Sequence, residues 1–151
     1  KELEAFLTPE EIESARSFID NISVVEEGVT AGEFGANSMH DVTEGGILGA
    51  AWEIAESSGK GIDIYIDKIP VWEVTKKICS FYGIDPYRLI SSGSMLITAS
   101  KGAELAKLLE KKRIPAVIIG RITEAGRNII RNGNISLLNP PDTDEIYKAL
   151  K

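Results

Sequence analysis

Cysteine and histidine are almost absent from this chain of 151 residues: Cys79 and His40 are the only ones. A lone cysteine excludes an internal disulfide. One cysteine and one histidine, far apart in sequence, do not supply the three or four nitrogen and sulfur ligands that a zinc site takes, so no metal centre of that type is expected. Basic charge is also short. The net charge is -6, which leaves no global footprint for nucleic acid. The densest basic run, Lys111-Lys112-Arg113, falls at the end of an expected helix, where cations meet the negative end of the dipole. No apolar run has membrane or secretory length, so the expectation is a cytoplasmic protein with neither a membrane nor a nucleic-acid partner. Aromatics make up 7%, and Trp52 and Trp72 read as partly buried anchors rather than a platform for stacking bases.

What remains is ordinary globular material, with 43% hydrophobic and 26% charged residues, enough to close a core in one compact domain. Thr8-Pro9-Glu10-Glu11 is a capping box with proline at the first helical position, and Ile12, Ala15, Phe18 and Ile19 continue at helical spacing over 9–21. Ser23-Val24-Val25-Glu26 repeats the start signal for a second helix to Gly35, intrinsically weak because it carries Gly28 and Gly32. An extended piece at Ser38–His40 leads into a third helix with Ile47, Leu48, Ala51, Ile54 and Ala55 on one stripe. "GIDIYID" (Gly61–Asp67) alternates as a strand with Ile62, Ile64 and Ile66 on one face.

Pro70 opens a helix that buries Val71, Val74, Ile78 and Phe81 and stops at Gly83. "ISSGSMLITAS" (Ile90–Ser100) is a turn followed by a strand, and Lys101–Arg113 is an amphipathic helix. Ile114–Ile122 reads as a buried strand. Asn132-Gly133, between two strand-like runs in Asn128–Leu138, is a type I′ hairpin signal. The Pro140-Pro141 tail ends in a short helix from Asp144. The pattern predicts an α+β fold: a mixed β-sheet flanked by α-helices.

The chemistry-bearing stretch is "MHDVTEGGILGA" (Met39–Ala50). In an extended segment His40 and Asp41 point to opposite faces, so they should not form a dyad. A Ser-His-Asp set could be assembled from Ser91 or Ser92, but no nucleophile elbow supports it. Magnesium held by Asp41 or Glu44 beside a nucleotide is chemically reasonable, since that ion often uses one or two carboxylates. The glycines suit an anion: Asp41 or Thr43 can cap the helix, Gly45 and Gly46 clear side chains from its first turn, and exposed N–H groups with the positive dipole end favour phosphate. A capped helix start that packs closely on a neighbouring strand explains the same residues, and spacing alone leaves both readings open. Cys79, beside Ile78 and Phe81 on a predicted helix, reads as core. Ser91-Ser92-Gly93 is a turn at a sheet end, where ligand-binding groups are common.

"MHDVTEGG" before an apolar helix, then "GIDIYIDKIPV", "GIDPYRLISSGSMLITA" and "IIGRITE", resembles the C-terminal domain of the AIR synthase superfamily. Within it the chain is most similar to the HypE (hydrogenase expression/formation protein) branch and the AIR synthase-related proteins beside it. The likeness runs over 23–122 in four ordered blocks. It implies a homodimeric, ATP-using enzyme whose N-terminal domain carries most of the nucleotide and Mg2+ site and is absent from this chain. Residues 1–22 then correspond to a leading helix from the inter-domain connection, and 23–151 to the C-terminal domain that closes over the cleft.

The family motif falls on His40, Asp41, Thr43, Gly45 and Gly46, with Ser91, Ser92 and Gly93 as the turn bordering the cleft. The resemblance implies phosphate on the Gly45 and Gly46 amides and the Thr43 hydroxyl, a positioning role for Asp41, and a donor in His40. The implied reaction is phosphorylation of a carbonyl or amide oxygen followed by its loss. A hydrogenase maturation factor is the implied partner, and an interaction module without catalysis is the alternative. The HypE branch ends in a cysteine that receives a carbamoyl group, which is then dehydrated to a nitrile. This chain ends "NPPDTDEIYKALK", which resembles the AIR synthase-related group and implies a different substrate.

Overall fold

The computed structural model describes residues 2–150. Its first element, α1 (Glu2–Phe6), carries no strong sequence signal and is held by the Phe6 ring against Phe81, centroids 5.1 Å apart. The Thr8 box forms as expected at the start of α2 (Pro9–Ser17). Glu11 N–H donates to Thr8 Oγ1 at 3.3 Å, and Thr8 N–H to Glu11 Oε2 at 3.0 Å. The rest of the predicted 9–21 helix tightens into a 3-10 turn over Phe18–Asn21.

Helix α3 (Val25–Phe34) starts without the cap expected of Ser23: Val24 occupies the N-cap and no side chain bonds there. One of its glycines has a packing reason. A Cβ at Gly28 would lie 3.3 Å from Met95 Cε, whereas one at Gly32 would make only ordinary contact with Met39 Cε at 3.9 Å. The helix therefore gives up propensity to lie close on the two-stranded ladder of β1 (Ser38–Asp41) and β3 (Met95–Thr98).

The second sheet has four strands in the order β4 (Gly120–Thr123), β2 (Gly61–Tyr65), β5 (Arg127–Arg131), β6 (Asn134–Leu137). It is mixed, with β2 antiparallel to β4 and parallel to β5. Asn132 and Gly133 turn the β5–β6 hairpin at φ 48° and 80°, as the type I′ reading requires. Helix α4 (Gly46–Ser58) lies between the two sheets. Leu48, Ala51 and Ile54 meet Ile62, Ile64 and Ile66 of the larger sheet's side and Val42 and Leu96 of the smaller. On the far side of the small ladder, Ala31 of α3 packs with Leu105 and Leu109 of α6 (Gly102–Lys111) against Ile97. Helices α5 (Glu73–Tyr82) and α7 (Ile146–Ala149) complete the described chain. This is the expected α+β class, with the strands split between two sheets.

Two strand boundaries differ from expectation. The alternation over Gly61–Asp67 does bury Ile62, Ile64 and Ile66, but the strand ends at Tyr65 and Ile66–Lys68 turns. The apolar run Ile114–Ile122 is not one buried strand. Its partner β2 is short, so pairing covers only Gly120–Thr123, and Val117 and Ile118 stand exposed. Trp72 also departs from its expected burial: it sits at the N-cap of α5, 72% exposed, touching the Phe18 ring on one side.

On β2, Asp63 is buried between Ile62 and Ile64, which alternation alone does not explain. Its carboxylate accepts from Asn128 Nδ2 at 2.9 Å and from Arg121 Nε at 3.0 Å, tying three strands together. The Asn128 amide, helped by Arg121 and opposed by burial, holds the carboxyl below the usual aspartate range. A folded value below the unfolded ~3.9 means that this stabilisation is complete above that pH and is lost as pH falls through the folded value. Asp63→Asn should therefore cost about 1–3 kcal/mol at pH 7 in urea unfolding and show a shallower acid dependence than the native chain. Parallel acid profiles for the two would rule the ionised network out.

Candidate functional site

The start of α4 is built differently from the sequence expectation. Neither Asp41 nor Thr43 caps it. Gly45 is the N-cap residue in the left-handed conformation, φ 80°, with no cap from its own side of the chain. The reason is positional: Asp41 belongs to β1 opposite Met95, and Thr43 contributes its carbonyl, which accepts from Gly46 N–H at 3.0 Å. The missing cap arrives from 99 residues away, where Asp144 Oδ2 accepts from Gly45 N–H at 2.7 Å. Leu48 N–H donates to Tyr87 O at 3.1 Å.

Gly45 and Gly46 are buried, so the exposed phosphate-binding amides expected there are instead engaged by the protein's own oxygens. The two glycines still have a clear cause. A Cβ on Gly46, at φ 62°, would lie 2.6 Å from Leu89 O and 2.7 Å from Tyr87 O.

His40 and Asp41 do point to opposite sides of β1, so no His-Asp dyad forms, as expected. His40 faces α4 instead, with Nε2 2.6 Å from Glu53 Oε2 and Nδ1 2.6 Å from the Asp41 carbonyl oxygen. A carbonyl oxygen only accepts, so Nδ1 is the donor to it. Both ring nitrogens are thus occupied within the chain, and donation from His40 to a substrate would require one of these contacts to break. Glu53 is a partner the sequence reading missed. Its only signal is its place on the helix that follows the motif.

The structure does join the two motif segments. Asp41 pairs with Met95 across the β1–β3 ladder, and Val42 N–H donates to Ser94 O at 3.0 Å. Ser94 N–H closes the serine turn onto Ser91 O at 3.1 Å. Gly93 holds φ 91°, and a Cβ there would meet Asn21 O at 2.4 Å, so the turn packs on the end of the leading segment. Asp41 and Ser92 are exposed, with Thr43 and Ser91 half-buried. Among the described residues, the side chains of Asp41, Thr43, Ser91 and Ser92 have no hydrogen-bond partner. Ile19, Ile22, Val25 and Val29 are exposed apolar residues, and Ile22 lies beside the turn, its Cα 3.2 Å from the Cβ position of Gly93.

Among the described residues, no group of three or more His, Cys, Asp or Glu side chains is placed to hold a metal ion. Asp41 and Glu44 remain as exposed carboxylates, a donor set compatible only with an ion that takes most ligands from elsewhere. Cys79 is buried, and burial, then the charges of Asp85 and Glu145, push its thiol up, so it is packing rather than a nucleophile. No helix among the described residues is long and apolar enough to cross a membrane.

The family described as AIR synthase related protein, C-terminal domain, matches residues 11–132. A hydrogenase expression/formation protein of Methanocaldococcus jannaschii is 32% identical over 111 residues, covering 71% of this chain and 32% of that protein. The chain thus spans about a third of that relative's length. A crystal structure of a HypE-HypF complex contains a chain 30% identical to this one, with a TM-score of 0.65 and coverage of 78% of this chain and 40% of that one. The structure of hydrogenase maturation protein HypE in complex with ATP shares the fold, with a TM-score of 0.63 at 23% identity, covering 72% of this chain and 36% of that one. With its ordered motifs, its fold and a matching span of 11–132, this chain belongs to the AIR synthase-related C-terminal domain family.

Proposed function

We propose that this chain is the C-terminal domain of a HypE-like, AIR synthase-related enzyme that uses ATP to phosphorylate a carbonyl or amide oxygen, acting in hydrogenase maturation. Residues 1–22 form the connection from an N-terminal domain, and 23–151 the domain that closes over the cleft. The N-terminal domain holds most of the ATP and Mg2+, and the whole protein is a homodimer in the cytoplasm that meets a maturation factor. One observation carries this reading: Asp41, Thr43, Ser91 and Ser92 come from two segments joined at one end of the β1–β3 ladder, and among the described residues their side chains have no hydrogen-bond partner. Unspent polar groups with exposed apolar residues nearby, Ile22 among them, are what a half-site awaiting a second domain would present.

In the arrangement described, phosphate does not fit at Gly45 and Gly46, because both amides are bonded and buried. The proposed contribution of this domain therefore rests on the rim. Asp41 offers a carboxylate to a bound Mg2+ or its water, Thr43, Ser91 and Ser92 offer hydroxyl donors, and His40 fixes β1 to α4.

Asp41→Ala in the full-length protein tests this directly. Its side chain has no hydrogen-bond partner among the described residues, so thermal stability should stay unchanged while kcat/KM for ATP falls at least about tenfold, equivalent to ~1.4 kcal/mol of transition-state stabilisation. A variant with native turnover would favour the second reading, in which this domain binds a maturation partner and takes no part in the catalysis. The engaged His40 ring and glycine amides are the observations on that side.

A further inference from the structure

The C-terminal segment after β6 brings back two buried carboxylates, Asp144 against the motif and Glu145 against Asp85. Leu138 anchors it, fully buried, with its N–H donated to Arg127 O at 2.9 Å. Pro141 then packs over the glycine turn, its Cβ 3.1 Å from the Cβ position of Gly45. Asp144, 4% exposed, accepts from Gly45 N–H through Oδ2 and from Ile146 N–H through Oδ1 at 2.8 Å. Glu145, 7% exposed, accepts from Asp85 N–H at 3.1 Å and from Lys148 Nζ at 2.6 Å. Burial opposes the charge on Glu145, but Lys148, the Asp85 amide and nearby Arg88 outweigh it and hold the carboxyl below the usual range.

A carboxylate is costly to bury unless donors or opposite charge receive it. Here the receiving groups are the Gly45 N–H for Asp144, and the Asp85 N–H and Lys148 ammonium for Glu145. The Gly45 N–H stands at the positive end of a thirteen-residue helix, where a phosphate would be received, and an anionic side chain already occupies it.

The segment's own attachment is light. Beyond Leu138, every backbone–backbone hydrogen bond described for residues 139–150 is local to the segment: Tyr147 N–H to Asp144 O and Lys148 N–H to Glu145 O. Its outer face is solvent, with Tyr147 54% and Leu150 74% exposed. Its hold on the rest of the domain therefore rests largely on the Asp144 and Glu145 carboxylates and on Pro141.

We infer that Asp144 is a built-in occupant of the anion position at the start of α4, and that a phosphate-bearing ligand reaches Gly45 only when the 139–150 segment withdraws. This rests on the reading that the motif borders a phosphate cleft, and it adds a competitor carried by the same chain. Withdrawal frees the Gly45 N–H, so an incoming phosphate replaces one anion by another.

Titration of the 15N-labelled chain with inorganic phosphate tests the competition. Asp144→Ala should bind phosphate at least tenfold more tightly than the native chain, with shifts centred on the Gly45 and Gly46 amides. Asp144→Asn keeps the side-chain shape without the charge, so it should fold like the native chain and bind phosphate a few-fold more tightly. Equal phosphate affinity in native and Asn variants, with shifts at Gly45 and Gly46 in both, would overturn the competition and leave the cleft reading standing. Absence of any shift in Asp144→Ala, when hydrogen exchange shows its Gly45 amide open, would overturn the cleft reading at these glycines, and the competition with it.

Discussion

Gly46→Val should destabilise the chain by about 2–5 kcal/mol, read as a lower urea midpoint at 25 °C. Two costs add. Gly46 holds φ 62°, a conformation that costs an L-residue roughly 1–2 kcal/mol, and more for a β-branched one. Its new Cβ would also overlap backbone: Leu89 O at 2.6 Å, Tyr87 O at 2.7 Å and the Arg88 carbonyl carbon at 2.9 Å. Backbone cannot rotate away as a side-chain tip can, so an overpacking cost of about 1–3 kcal/mol applies. Gly59→Ala is the control. It shares a positive φ of 63° but has nothing within 4 Å of its Cβ position, and should lose only about 1–2 kcal/mol. If the two variants were equally stable, close contact between the motif and the 87–89 loop would be wrong. The same geometry makes Gly46→Val a poor probe of ligand binding, because it would damage the fold first.

Local chemistry made much of the fold legible. The Thr8–Glu11 box, the Asn132-Gly133 turn and the burial of Ile62, Ile64 and Ile66 each follow from residues within a few positions of one another. The adjacency of His40–Gly46 and Ser91–Gly93 was legible only through the family likeness, because the β1–β3 ladder that joins them is a long-range pairing. The site's internal partners were not legible. Glu53 meets His40 across a helix–strand contact, and Asp144 meets Gly45 from the other end of the chain. A helix start with Thr and two glycines looks capped and open when read locally. Whether its amides face solvent depends on what the tail brings back to it.

The same closure makes a strong functional contrast. With the glycine amides and both His40 ring nitrogens engaged, the chain offers one exposed aspartate and three hydroxyls at its rim. Among the described residues it has no cluster of three metal-ligating side chains. Phosphoryl transfer needs the charge on the phosphates neutralised and the nucleotide fixed in line with its acceptor, and in the proposed function an N-terminal domain supplies most of those contacts.

The decisive measurement is steady-state ATP turnover by the full-length protein and by the 151-residue chain under identical conditions. The full-length protein should turn over ATP, and the chain alone should show no turnover above the buffer control. Steady hydrolysis by the isolated chain, or none by the full-length protein with any carbonyl or amide acceptor supplied, would contradict the half-site that Asp41, Thr43, Ser91 and Ser92 are proposed to form.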